Sequence, residues 1–210
     1  MATDPERPVT PSPGGPIAPV VDRAKRLLLE PKAEWPRIDS EPTTPKQIFT
    51  SYVMILAAIP AIAYALMMIL FMPRLPGVFG FSIPSVLAGV VVQYLLSLAG
   101  VYVMSLIIDA LAPTFGGTKD SLKALKLAAY YPTAVWISSA ALVVPVLGML
   151  IVLVGLVYSL YLLYVGLPIL MKNPPDKTAP YFVVILLIAI VVFWLINMIV
   201  QRVVYGGLFY

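Results

Sequence analysis

Long apolar runs, broken by short polar or proline-rich stretches, dominate the chain from Ile48 onward. A helix needs about 20 apolar residues, at about 1.5 Å each, to cross a hydrocarbon layer about 30 Å thick. On that measure Ile48–Phe71, Ser85–Ile108, Leu147–Leu170 and Tyr181–Val200 each read as a membrane-spanning helix. Leu127–Met171 is forty-five residues without a charge, too long for one crossing and long enough for two. Ala128–Val144 is therefore read as the third span, turning into the fourth at Pro145 and Gly148. The pattern predicts an all-α polytopic membrane protein, a bundle of five transmembrane helices over residues 47–210. In the first span Pro60 should kink the helix. Ala57, Ala61 and Ala65, four apart, form a small-residue stripe suited to close helix contact, as do Gly155 and Ser159 in the fourth span.

The chain before the first span is different. Met1–Pro16 holds five prolines together with Gly14 and Gly15, a composition that cannot build a core, and a disordered tail is expected. From Ile17 to Glu30, Ile17, Val20, Val21, Ala24, Leu27 and Leu28 recur at helical spacing, opposite Asp22, Arg23, Lys25, Arg26 and Glu30. That periodicity predicts a short interfacial helix, followed by a linker as far as residue 46. Trp35 is expected to anchor at headgroup depth, with packing of the helix on the protein's own loops as an equal alternative.

Composition agrees with a lipid solvent: 60% of residues are hydrophobic and the mean hydropathy is +0.95, outside the soluble range. Seven of the 14 Lys/Arg and seven of the 10 Asp/Glu precede Gln47. The net charge of +4 thus belongs to a tail and short loops, not to a basic stripe, and nucleic acid is not expected as a partner. With the N-terminus in the cytoplasm, eight Lys/Arg near the spans lie inside and only Arg74 and Arg202 outside. The positive-inside rule therefore predicts a multi-pass protein of the cytoplasmic (inner) membrane with its C-terminus outside. The polar N-terminus lacks a signal-peptide core, so the first span is expected to direct insertion.

Cysteine and histidine are both absent, which removes disulfides, thiolate metal sites and every Ser-His or Cys-His arrangement. No phosphate loop, zinc spacing or nucleophile elbow occurs, so neither catalysis nor a cofactor or metal is expected. Asp109, just past the second span, is the acid nearest the membrane, where immersion costs about 2.5–3.5 kcal/mol. It reads first as an interfacial acid within reach of water or Lys119, and second as a proton-coupling or substrate group. Gln93 and Asn197 are expected to hydrogen-bond neighbouring helices, worth about 0.6–2 kcal/mol each. Lys119, Lys123 and Lys126 lead into the third span and are expected on the cytoplasmic surface. Tyr130, Tyr131 and Pro132 open that span, and Tyr158, Tyr161 and Tyr164 line the end of the fourth. Both tyrosine groups read as an aromatic belt at headgroup level, with a lipid or partner-protein site as the alternative.

Several stretches together resemble the Yip family of small five-span membrane proteins, whose eukaryotic members interact with Rab GTPases and which has bacterial relatives. They are Ser121–Lys126 (SLKALK), Ala129–Thr133 (AYYPT), Pro145–Gly148 (PVLG) and Tyr158–Pro168 (YSLYLLYVGLP). Leu27–Ile38 (LLLEPKAEWPRI) is similar to the pre-membrane stretch of the bacterial members. The likeness covers roughly Leu27 to Val200, and implies a five-span bundle with a cytoplasmic N-terminal region. The acidic, Tyr-Gly-Pro-containing motif of the eukaryotic branch is not evident here, so Rab binding is not carried over.

The expected function is that of a non-enzymatic membrane organiser or scaffold. It would act through helix packing and a basic cytoplasmic face toward anionic lipid headgroups, a second copy of itself or other membrane proteins. The rival expectation is a small-solute transporter or channel formed by an oligomer, with Gln93, Asn197, Asp109 and the Pro60 kink lining the path.

Overall fold

A computed structural model describes residues 17–71 and 83–200. The proline-rich tail, most of the turn that carries Arg74, and the end that carries Arg202 lie outside them. Among the described residues every regular element is helical. The chain opens with α1 (Ile17–Leu29) and α2 (Pro31–Ser40), which form an arm. A short α3 (Pro45–Ile48), a π-helical turn (Phe49–Val53) and α4 (Met54–Phe71) then run on as one stretch. A capping box starts it: the Thr44 hydroxyl accepts from the Gln47 N–H, and the Gln47 side chain accepts from the Thr44 N–H. Next come α5 (Ile83–Leu111) with a 3-10 turn (Ala112–Phe115), α6 (Ser121–Tyr130), α7 (Thr133–Ser138) with a second 3-10 turn (Ser139–Val143), α8 (Leu147–Leu170) and α9 (Pro175–Val200).

Among the described residues four stretches are long and apolar enough to cross a membrane: Pro45–Phe71, Val86–Phe115, Leu147–Leu170 and Pro175–Ile199. Large apolar side chains on them have little protein cover: Val154 is 70% exposed, Val157 61%, Phe193 66% and Trp194 61%. Apolar surface of this extent needs a hydrocarbon solvent, and helices satisfy their own backbone polar groups within it. The chain is a multi-pass, all-helical membrane protein.

The expected third span departs from a single helix. Pro132 cannot donate into α6 and instead occupies the N-cap of α7 with ψ of 1°, after which the backbone tightens into a 3-10 turn from Ser139. The broken segment still lies antiparallel along α8. Leu127 meets Gly166, the Val135 N–H donates to Ser159 Oγ at 2.9 Å, Ser138 meets Gly155 and Ala141 meets Gly148. A Cβ on Gly155 would collide with the Ser138 side chain, so the small pair Gly155 and Ser159 does mark a close helix contact. Elsewhere α5 runs through Asp109 to Leu111, past its expected end, because no breaker intervenes before Pro113. The left-handed Gly116, at φ 71°, then closes the 3-10 turn.

One buried cluster joins the arm to the spans, with Leu27, Trp35 and Ile38 packed among Ile48, Leu127, Leu162, Leu167 and Leu170. Trp35 is fully buried, so it is no headgroup anchor. Its indole fills the space left by Gly166 of α8, where a Cβ would lie 2.8 Å from the ring. The stretch expected to be a linker is therefore the helix α2, wedged against the bundle.

Candidate functional site

Charged chemistry concentrates where the arm meets the bundle, and every Lys and Arg among the described residues lies on the arm, on α3, or in the loops and helix ends beside them. Glu34 of α2 is 1% exposed and faces three guanidinium groups, Arg23 at 3.1 Å, Arg26 at 3.0 Å and Arg37 at 3.4 Å. A carboxylate buried this deeply is tolerable only when so compensated. Arg23 also pairs with Glu41, and its guanidinium carbon lies 5.7 Å from the centroid of the Tyr130 ring. That ring stands edge-on to Tyr52 at 4.6 Å, and the Tyr52 hydroxyl is hydrogen-bonded to Thr133 at 2.8 Å.

A second knot closes the other end of α2. Lys126 donates to the carbonyls of Ile38 at 2.6 Å and Glu41 at 2.7 Å, taking up acceptors that the end of the helix leaves without an intrahelical partner. Burial pulls the Lys126 ammonium below its ordinary value, against the opposing charges of Glu41 and Asp39. Asp39 bridges Lys123 of α6 at 2.8 Å and Lys172, just beyond α8, at 2.7 Å. Partial burial by itself would raise the Asp39 carboxyl, but the hydrogen bonds and charges of the two lysines outweigh it and hold the group below its ordinary value. Finally, the Tyr158 hydroxyl donates to the Leu28 carbonyl at 2.6 Å, tying α1 to α8.

Several expected residues thus take other roles. Lys126 is 3% exposed and serves as an internal staple, since its long stem passes through the apolar contact to reach the end of α2. Lys123 is half-buried in its ion pair, and of the three lysines only Lys119 stays exposed. Tyr130 and Pro132 are buried, and Tyr131 and Tyr158 are half-buried, because the arm covers the face on which a belt was expected. Tyr161 and Tyr164 do face outward. The pairings of Glu34, Asp39 and Glu41 were not anticipated, because they join segments far apart in sequence.

Asp109 lies inside the last full turns of α5, 8% exposed, with Oδ1 buried and lacking a hydrogen-bond partner among the described residues. Beside it the Tyr181 hydroxyl donates to the Ile108 carbonyl. Among the described residues no ion pair joins Asp109 to Lys119: the 3-10 turn and Gly116 carry the chain away from α5 before that lysine.

In the opposite half of the bundle, Gln93 and Asn197 line a cavity of about 370 Å³ between α4, α5 and α9, together with Ala57, Pro60 and Ala61. They do not bridge helices as expected. Asn197 donates back to the Phe193 carbonyl of its own helix at 2.8 Å, and the Gln93 amide makes no hydrogen bond among the described residues. The open space between the three helices keeps both amides beyond reach of a neighbour. Asp109 is no part of this cavity, standing about 24 Å farther along α5 at 1.5 Å per residue.

Among the described residues no group of three or more acidic, His or Cys side chains is placed to hold a metal ion. The family model of the Yip1 domain matches residues 25–196, from within α1 to near the end of α9. No curated protein and no solved structure matches the chain.

Proposed function

Since the chain belongs to the Yip1 domain family, we propose that it is a non-enzymatic scaffold of a bacterial-type cytoplasmic membrane, crossing five times with its N-terminus in the cytoplasm and its C-terminus outside. The fifth crossing is the broken segment of residues 128–144, from the end of α6 through the second 3-10 turn, whose antiparallel course beside α8 supports the count. The carrying observation is the one-sided distribution of charge. Internal pairing at the arm consumes Arg23, Lys123 and Lys126, while Lys25, Lys32, Arg37, Lys46, Lys119 and Lys177 stay exposed around it. Such a rim suits anionic headgroups, at about 1 kcal/mol per basic residue near the surface, and the acidic faces of other membrane proteins or a second copy. The absence of histidine and cysteine supports a non-catalytic role.

The test is lysine-directed cross-linking in native membranes, read by mass spectrometry. Recurrent neighbours linked through Lys25, Lys32 or Lys119 are expected, whereas turnover of a lipid or nucleotide by the purified protein in liposomes would contradict the reading. For orientation, single cysteines at positions 118 and 175 should react only from the cytoplasm, and one at 77 only from outside.

A second reading, a small-solute pathway, draws support from the shared cavity of Pro60, Gln93 and Asn197. Against it stands the buried core of Tyr52, Leu56, Val101 and Met104 between that cavity and the charged end. Solute flux in proteoliposomes that is lost in Gln93→Leu would favour transport through this cavity.

A further inference from the structure

We propose that the cavity between α4, α5 and α9 is a binding site for one uncharged, hydroxyl-bearing lipid. Its chain lies along Ala57, Ala61 and Val90, and its hydroxyl bonds to the amides of Gln93 and Asn197.

The size suits the hydroxyl end of such a lipid and part of one chain: about 370 Å³ is within the range of small-molecule sites and well above the roughly 150 Å³ void that takes up benzene. Among the described residues no charged side chain lines it, so the wall they form suits an uncharged ligand. Most polar groups on the wall already have partners. The Ser97 hydroxyl donates to the Tyr94 carbonyl at 2.7 Å, and the Tyr94 hydroxyl donates to the Met54 carbonyl at 2.9 Å. What stays open is the amide of Gln93, with two donors and an acceptor, and the carbonyl of Asn197, whose nitrogen is engaged with Phe193. An amide left unpaired in hydrocarbon costs several kcal/mol. A hydroxyl answers both, donating to one amide oxygen and accepting from the Gln93 nitrogen. An ester alone could only accept.

Access also points to lipid. Toward the charged end Tyr52, Leu56, Val101 and Met104 are buried, while Tyr64 and Phe193 in the wall are 37% and 66% exposed. A ligand therefore enters sideways from the bilayer, where its apolar chain is already dissolved. This assignment does not depend on the scaffold reading and survives its failure.

The experiment uses the full chain in phosphatidylcholine vesicles containing a trace of photoactivatable diacylglycerol, with and without excess unlabelled diacylglycerol. Labelling should be saturable and fall on peptides from α4 and α5 around Ala61 and Gln93. Gln93→Leu should weaken it about fivefold, the loss of one neutral hydrogen bond, and Ala61→Phe should abolish it by filling the space. Photoactivatable phosphatidylglycerol should give no saturable label there. Labelling that cannot be competed, that spreads over the exposed face of α8, or that phosphatidylglycerol reproduces equally would overturn the site. Competition on the unsubstituted protein decides the matter even if neither variant can be recovered folded.

Discussion

The arm and the cavity half of this bundle handle polar side chains differently, with Asp109, whose Oδ1 has no hydrogen-bond partner among the described residues, the exception at the charged end. At the charged end, Glu34, Asp39, Arg23 and Lys126 are each matched by several partners, and the arm they hold shares one apolar core with α6 and α8. In the other half, two amides face a void and neither reaches a neighbouring helix. Dense pairing marks a part of the molecule built to keep one shape. Amides that reach no neighbouring helix mark a part left open to something that is not protein.

That contrast can be broken by substitution. The largest loss is expected for Trp35→Ala, which empties the space beside Gly166: about 3–5 kcal/mol, from the usual cost of deleting a large aromatic from a core. Thermal unfolding in detergent should register it, and protease should then cut the arm. Lys126→Met is next, at about 1.5–3 kcal/mol for hydrogen bonds from a charged donor. Hydrogen exchange at the end of α2 should report the loss.

Asp39→Asn is smaller, about 0.2–1 kcal/mol for a partly exposed ion pair, and its signature is a dependence on pH. Because the folded carboxyl lies below its ordinary value of about 3.9, its contribution is complete above that pH and disappears as pH falls through the folded value. A melting series below pH 4 should therefore show an acid-induced loss in the native chain that is weaker in Asp39→Asn. The smallest loss belongs to the open half: Gln93→Leu removes an amide with no protein partner and should cost the fold nothing, or stabilise it. A loss as large as that of Lys126→Met would show that Gln93 holds the fold together and would erase the contrast.

How far the sequence reveals this depends on whether a feature is local. The fourth span was legible to the residue, as Leu147–Leu170, because a charge-free run bounded by Pro145 and Lys172 carries no competing signal. α1 was legible from its apolar period. α2 was not: Pro31, Pro36 and its charges read as linker, and its order comes from an indole fitting a glycine gap on a distant helix. For the third span hydropathy is blind to the break that Pro132 imposes between α6 and α7 and to the tightening from Ser139. Gln93 and Asn197 stood out as amides in apolar runs, but their meeting at one cavity depends on how three helices diverge. The Asp109 and Lys119 pairing failed for a similar reason: a 3-10 turn, invisible in the pattern, redirects the chain between them.

The arm is a fixed part of the membrane bundle. As the chain contains no cysteine, Asp39→Cys with Lys123→Cys gives a clean test by short bis-maleimide cross-linking in native membranes. The packed arm predicts near-complete cross-linking between α2 and α6, abolished when Trp35→Ala is added. Failure to cross-link, with both cysteines open to a monofunctional maleimide, would contradict it.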